Sequence, residues 1–230
     1  SLTDDGSVFS QSLDRDFNNI NIAWSPTLGG LPVEQDVLNT LESQLGIFEE
    51  IGCHINQADP DFTDANEVFL RWRGWERVIN QGDLLEKHRD TLKDSMIWDI
   101  EQGLKLSASD VAWAETKRIE IFRRMEKFME KYNFLICPVS QSPPFDINQP
   151  WVKEINGVQM DNYIDWMRSC YYITVTGHPA ISVPCGFTEQ GLPVGIQIVG
   201  RYRDDLGVLQ LAKAFESATE FWKTVPDISK

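Results

Sequence analysis

The chain has 230 residues, 42% of them hydrophobic, which is enough for a substantial core in one large domain or two small ones. Aspartate plus glutamate number 35 against 21 lysines plus arginines, a formal charge of −14 that disfavours polyanionic partners such as phosphate backbones and anionic membranes. No apolar run reaches the roughly 18 residues that a membrane-spanning helix needs.

In chain order, residues 1–19 read as a polar, acidic loop. The opening Ser1-Leu2-Thr3-Asp4-Asp5 has neither a basic start nor an apolar run, so no signal peptide is expected. The missing initiator methionine fits an internal or processed chain. Ile20 to Trp24 is a strand, Ser25 to Pro32 a turn around Gly29-Gly30, and Pro32 is placed to open a helix. Val37, Leu38, Leu41, Leu45, Phe48 and Ile51 recur at helical spacing until Gly52, and a short strand follows around Ile55. Strand–helix–strand in that order predicts a β-α-β unit with a parallel pair.

Pro60 to Gln81 reads as an amphipathic helix begun by Asp61 or Asp64, with Phe69, Trp72 and Trp75 on its apolar side as core. Residues 83–106 continue as weaker helix, broken near Gly103. Ser107 or Ser109 caps the next helix, striped by Ile119, Phe122, Met125, Phe128, Met129 and Tyr132. Its charged side, from Lys117 to Lys131, mixes both signs and reads as a solvated face. Phe134 to Pro138 is a short buried strand, Ser140 to Pro150 a proline-rich loop, and Asn156-Gly157 a hairpin turn. Asp161 to Val175 is an aromatic helix. Pro179 to Phe187 and Val194 to Val199 then form two buried strands joined by a turn at Gly191, and Asp204 caps a final helix over Leu206 to Phe221. Thr224 to Lys230 is a tail.

None of the usual constellations of chemistry is assembled in the sequence itself. The histidines are His54, His88 and His178. His178 and Ser182 on one strand would lie about 13 Å apart, too far for a nucleophile and its base. Adjacent Cys53 and His54 point to opposite faces of a strand, with no further ligands beside them, so no metal site is expected. Gly29-Gly30 lacks the spacing and the lysine of a phosphate loop, and no cofactor is expected. Asp204 and Asp205 read as a helix cap. Cys53, Cys137, Cys170 and Cys185 read as free thiols of a cytoplasmic protein.

One stretch is more specific. Gly177-His178-Pro179-Ala180-Ile181-Ser182-Val183-Pro184-Cys185-Gly186, a short spacer, then Gly191-Leu192-Pro193-Val194-Gly195-Ile196-Gln197-Ile198-Val199-Gly200, resembles the C-terminal part of the amidase signature family. The following helix, with Asp205, Leu209, Ala214 and Glu216, is similar in character. Ile22-Ala23-Trp24-Ser25 with Gly29-Gly30, and Leu135-Ile136-Cys137-Pro138-Val139-Ser140, resemble two upstream pieces of that family.

The resemblance implies an α/β fold, a mixed, twisted β-sheet covered by helices, with residues 1–230 as the C-terminal part of one amidase signature domain. It implies an amidohydrolase with a Ser–(cis)Ser–Lys triad. The chain has no Ser-Ser pair, and its first lysine is Lys87, so the catalytic residues are expected in an N-terminal portion outside this chain. On the same ground Ser140, Gln141, Trp166 and Tyr171 are the expected substrate-binding residues, shaping a pocket for a small-molecule amide. Aromatic content over 163–172 hints at an apolar or aromatic acyl group, and core packing explains it equally. The expected partner is the N-terminal amidase portion, in a homo-oligomer, with no nucleic acid and no membrane. A related reading is the A-type subunit of a tRNA-dependent amidotransferase. Against it, the arginine and aspartate with which those subunits hold glutamine are replaced here by Trp98 or Asp99 and by Met167. A non-catalytic binding or structural fragment is the third reading.

Overall fold

The computed structural model describes residues 5–225, so the first four residues and most of the expected tail lie outside it. Its elements are β1 (Ile20–Trp24), α1 (Gln35–Glu42), α2 (Leu45–Glu50), β2 (Cys53–Gln57), α3 (Ala65–His88), α4 (Asp94–Leu104), α5 (Ala108–Met129) and β3 (Phe134–Pro138). There follow β4 (Glu154–Ile155), β5 (Val158–Gln159), α6 (Arg168–Thr176), β6 (Ala180–Phe187), β7 (Pro193–Gly200) and α7 (Asp205–Thr219). Five strands make one mixed sheet in the order β2-β1-β3-β7-β6.

The connections dictate that order. β1 runs parallel to β2 and to β3, and both links cross over through helices, α1–α2 in the first case and α3–α5 in the second. β7 pairs antiparallel with β3 and with β6, the latter through the short 188–192 turn in which Gly191 takes φ +80°. The strand period of two then divides the core. Ile196 and Ile198 of β7 face α1, α2 and α7, where the Phe48 and Phe215 rings stack 4.7 Å apart. Val199, with Leu135 and Cys137 of β3, faces α3, α5 and α6.

Several boundaries differ from the expectation. The helix expected over Val37–Ile51 is two, because the chain turns at Ser43-Gln44, where the Ser43 hydroxyl donates to the Thr40 carbonyl at 2.7 Å. Pro32 is not the first helical residue; α1 begins at Gln35. Neither Asp61 nor Asp64 caps α3 through its side chain: Asp64 holds the N-cap position at φ +70°, and the Asp61 carboxylate accepts from the Thr63 amide instead. The helix does stop near Gly103, since α4 ends at Leu104, and the interruption that was not expected is the turn between α3 and α4. Gly103 also packs at the crossing with α3, where its hydrogen lets the Gly74 backbone approach. Ser107 does cap α5, in a reciprocal capping box with Asp110. On α5 it is Ile121 that is buried, and Ile119 is 47% exposed. The aromatic helix is shorter than expected, a 3-10 turn over Asp165–Met167 preceding α6.

One correction bears on function. The two motif strands are not both buried: β7 is, but β6 is an outer strand whose Ala180, Ser182 and Pro184 are exposed on one face while Val183 and Cys185 are buried on the other. Its register slips between Pro184 and Gly186, the latter at φ +129°, a bulge that accommodates a proline with no N–H to donate.

Candidate functional site

The strand β3 ends at Pro138, and the chain leaves the sheet through Val139, Ser140 and Gln141. This exit is fastened from three sides. The Val139 carbonyl accepts from the Ser169 hydroxyl at 2.8 Å and from the Cys170 thiol at 2.9 Å, both in the first turn of α6. Gln141 is fully buried; its amide nitrogen donates to the Pro32 carbonyl at 3.0 Å and its carbonyl oxygen accepts from the Ser169 amide. The main-chain carbonyl of Gln141 in turn accepts from the Glu34 amide at 2.8 Å. The hairpin β4–β5 is tied to the same segment, since the Asn156 side chain donates to the Val33 carbonyl at 2.7 Å.

Between this fastened loop and the end of the β6–β7 ribbon lies a cavity of about 300 Å³. The loop side is Val139, Ser140, Ser142 and Pro143 to Phe145; the sheet side is Ser182 and Pro193 to Gly195; Trp166 and Val37 close it. The Trp166 ring meets Phe145 edge to face at 5.2 Å, and its indole N–H is spent on the Tyr163 carbonyl at 2.8 Å, so the ring is held in place. Gly195 forms part of the floor. A Cβ there would come within 3.2 Å of the Ser182 hydroxyl and 3.3 Å of a Val139 methyl.

Among the described residues the lining carries three hydroxyls and no charged side chain. It also holds no histidine, lysine or carboxylate, so none of its serines has an activating base beside it. His178 is engaged elsewhere. Its Nδ1 lies 3.2 Å from the Thr176 carbonyl and its Nε2 3.3 Å from the Glu126 carboxylate. Burial holds the imidazole below its usual range, against the opposing pull of the Thr176 carbonyl and Glu126. Burial likewise pushes the thiols of Cys137 and Cys185 up to about 12 and that of Cys53 to about 11, which leaves them protonated and inert.

Of the four residues named from the sequence, Ser140 and Trp166 line this cavity together. Gln141 lies beneath the loop and holds it. Tyr171 is buried against α3, its ring stacked on Phe69 at 4.0 Å and its hydroxyl donating to Asn66 at 2.6 Å. Phe145, Ser182 and Gly195 have no signal of their own in the sequence. Ser182 and Gly195 lie inside the motif, and only the sheet register brings them together, as diagonal neighbours on paired strands.

A second polar constellation lies between α3 and α4. Asp99 is 2% exposed, accepts from Arg73 Nε at 3.1 Å and from the Tyr163 hydroxyl, and pairs with Arg73 Nη2 at 2.9 Å. Arg73 also donates to the Tyr163 oxygen at 2.6 Å, closing a triangle that joins two helices to the turn before α6. Burial and the Asp99 carboxylate both raise the Tyr163 phenol, which keeps it a neutral donor. Among the described residues no group of three histidines, cysteines or carboxylates is placed to hold a metal ion, and no helix is long and apolar enough to cross a membrane.

Comparison with known proteins gives these positions a context. The sequence matches the Amidase family over residues 4–209. An acylamidase of Rhodococcus erythropolis is 33% identical over 207 residues, which cover 88% of this chain and 43% of that protein. The A-type subunit of a glutamyl-tRNA(Gln) amidotransferase from Thermodesulfovibrio yellowstonii is 27% identical, over 96% of this chain and 50% of its own length. Among solved structures, a bacterial aryl acylamidase of the amidase signature enzymes superposes with a TM-score of 0.80 at 24% identity, over 92% of this chain and 46% of that one. The chain thus spans about half the length of the curated relatives it matches.

Proposed function

Because the chain belongs to the Amidase family, we propose that it is the substrate-shaping C-terminal portion of an amide-bond hydrolase. The Ser–(cis)Ser–Lys triad and the oxyanion donors would lie in an N-terminal portion docked beside β6. The observation that carries this reading is the cavity itself: a preformed, hydroxyl-rimmed apolar hollow with no base in it, walled partly by the exposed Ser182 of an outer strand. A substrate held there has everything for binding and nothing for bond cleavage.

In this reading Trp166 and Phe145 grip the acyl group, and Ser140 and Ser182 meet the polar amide. Gln141 and the Ser169 and Cys170 contacts fix the loop so that the bound carbonyl is oriented before attack. Preorganised donors of the N-terminal portion would stabilise the tetrahedral intermediate. Tyr171 acts at one remove, by seating α6 against α3. Unpaired cysteines suit a reducing compartment, so a cytoplasmic location belongs to the proposal. The amidotransferase alternative fits less well, since a surface of net charge −14 offers little to tRNA.

The test is reconstitution. The 230-residue chain is assayed for ammonia release from simple carboxamides alone and then joined to its N-terminal portion. Activity only in the joined protein is the expected result. Equal hydrolysis by the lone chain, or none by the joined one, overturns the proposal.

A further inference from the structure

We infer that the cavity selects amides whose acyl group is neutral and presents one ring to it, and rejects amides that carry a charge on that group. This rests on the reading of the cavity as the acyl site of an amide hydrolase, and it names the class of substrate.

Selection against charge follows from the lining. Among the described residues no Lys, Arg, Asp or Glu side chain lines it, in a chain where these types make up 24% of the sequence. An ion entering an apolar hollow loses its hydration and regains little unless a counter-charge or several donors meet it. Here it would meet serine hydroxyls. Those suffice for a neutral carbonyl or amide but not for a carboxylate or ammonium. The α3–α4 junction is the contrast, because there the same protein buries a charge and supplies Arg73 and Tyr163 to receive it.

The fit to a ring follows from the volume and the walls. An enclosed hydrocarbon cavity of roughly 150 Å³ admits benzene in another protein. About 300 Å³ therefore accommodates one ring and a few further atoms. The walls are stiff: three prolines, Pro143, Pro144 and Pro193, and a Trp166 indole pinned by its own hydrogen bond. The floor exists because position 195 is glycine, with neighbours already within 3.2–3.3 Å of where a Cβ would be.

The experiment uses the joined protein and two probes of the same shape, 4-nitrobenzamide and 4-carbamoylbenzoate, which differ chiefly by one negative charge. Isothermal titration is expected to show the neutral probe binding at least about 100-fold more tightly. Gly195→Ala is expected to weaken the neutral probe about tenfold by filling the floor. Should that variant fold poorly, Phe145→Ala replaces it: Phe145 is on an exposed loop, and removing one wall should cost a similar factor. Equal or tighter binding of the carboxylate, no binding of either probe, or unchanged affinity in the folded variants overturns the inference. Failure of the hydrolase reading is separable. A protein with this binding pattern that cleaves no amide loses the hydrolase assignment alone, whereas one that cleaves the charged probe as well as the neutral one loses only the selectivity.

Discussion

Gly103 offers the sharpest test of how α3 and α4 are joined, because two effects of known sign oppose each other there. In a helix interior, glycine to alanine is favourable by about 0.8–1.0 kcal/mol, and by less at the penultimate position that Gly103 holds in α4. A Cβ at 103, however, would lie 2.0 Å from the Gly74 carbonyl oxygen, 2.6 Å from its carbon and 2.7 Å from a Val78 methyl. Two of those three atoms are backbone, and neither can rotate away, so the helices must part by about 1 Å or more to restore ordinary contact distances. Overpacking of this kind costs about 1–3 kcal/mol, and contact with main chain belongs at the upper end. The net expectation is a loss of about 2 kcal/mol, a fall of about 4–8 °C in Tm for a protein of this size. Separation would also loosen the Arg73–Asp99 pair, now at 2.9 Å across the same junction.

The control is Gly82→Ala on α3, where a Cβ meets nothing closer than a Val78 methyl at 3.8 Å. Propensity acts there unopposed, and a gain of up to about 1 kcal/mol is expected. Urea titrations followed by circular dichroism and tryptophan fluorescence read both variants. If Gly103→Ala is as stable as the parent, or gains as Gly82→Ala does, the close crossing is not what that glycine is for.

Asp99→Asn should destabilise the protein by about 3 kcal/mol, since it leaves Arg73 without its counter-charge in a largely dry site; a urea midpoint unchanged from the parent would show the pair to be dispensable. His178 provides a pH test. Its pKa in the fold is lowered, so the unfolded chain takes up a proton near about 6.5 while the folded imidazole resists. Its contribution is therefore fully present above about 6.5 and is lost as pH falls below it, and His178→Asn should flatten the decline between pH 7 and 5. Parallel curves for the two proteins would refute that assignment. Thiol labelling at pH 8 should leave Cys53, Cys137 and Cys185 unmodified in the native state and reach all four cysteines after unfolding; rapid native labelling of Cys137 would contradict its burial.

What was legible in the sequence was local. β1, β3 and the β6–β7 ribbon are short apolar runs bounded by glycine, proline or asparagine, and Ser107 announces α5 through its own side chain and that of Asp110. What failed depended on distant residues. The break at Ser43-Gln44 interrupts an apolar spacing that continues on both sides, and the one glycine nearby, Gly46, lies within α2 and not at the break. Gly103 marks the end of α4, as its residue type suggests, but its packing role shows only when Gly74, on another helix, is seen against it. Asp99 looks like a solvated helical carboxylate, because its partners come from 26 and 64 residues away. Of the candidate site, the loop and Trp166 were visible as a proline-rich exit beside aromatic residues. Gly195 and Ser182 were not, because their importance comes from sheet register and not from residue type.

The two outer strands of the sheet are built differently, and that asymmetry links the cavity to the proposed partner. An open edge in water is usually blunted by polar or charged side chains. β2 follows that rule, with His54, Asn56 and Gln57 exposed along it. β6 relies on Pro184 and the bulge at Gly186 instead: from Ala180 to Phe187 it has no charged residue, and its exposed side chains are the small Ala180, Ser182 and Pro184, with Phe187 at its end. Small side chains let a further layer approach closely, and the bulge at Gly186 bends the strand where Pro184 has no hydrogen to donate. Pro184 and the bulge are themselves devices that blunt an edge, and the proposed N-terminal portion would cover the rest. Because Ser182 belongs both to this row and to the cavity wall, the N-terminal portion proposed to cover β6 would also border the cavity, and a base supplied from there would meet a substrate held by this chain.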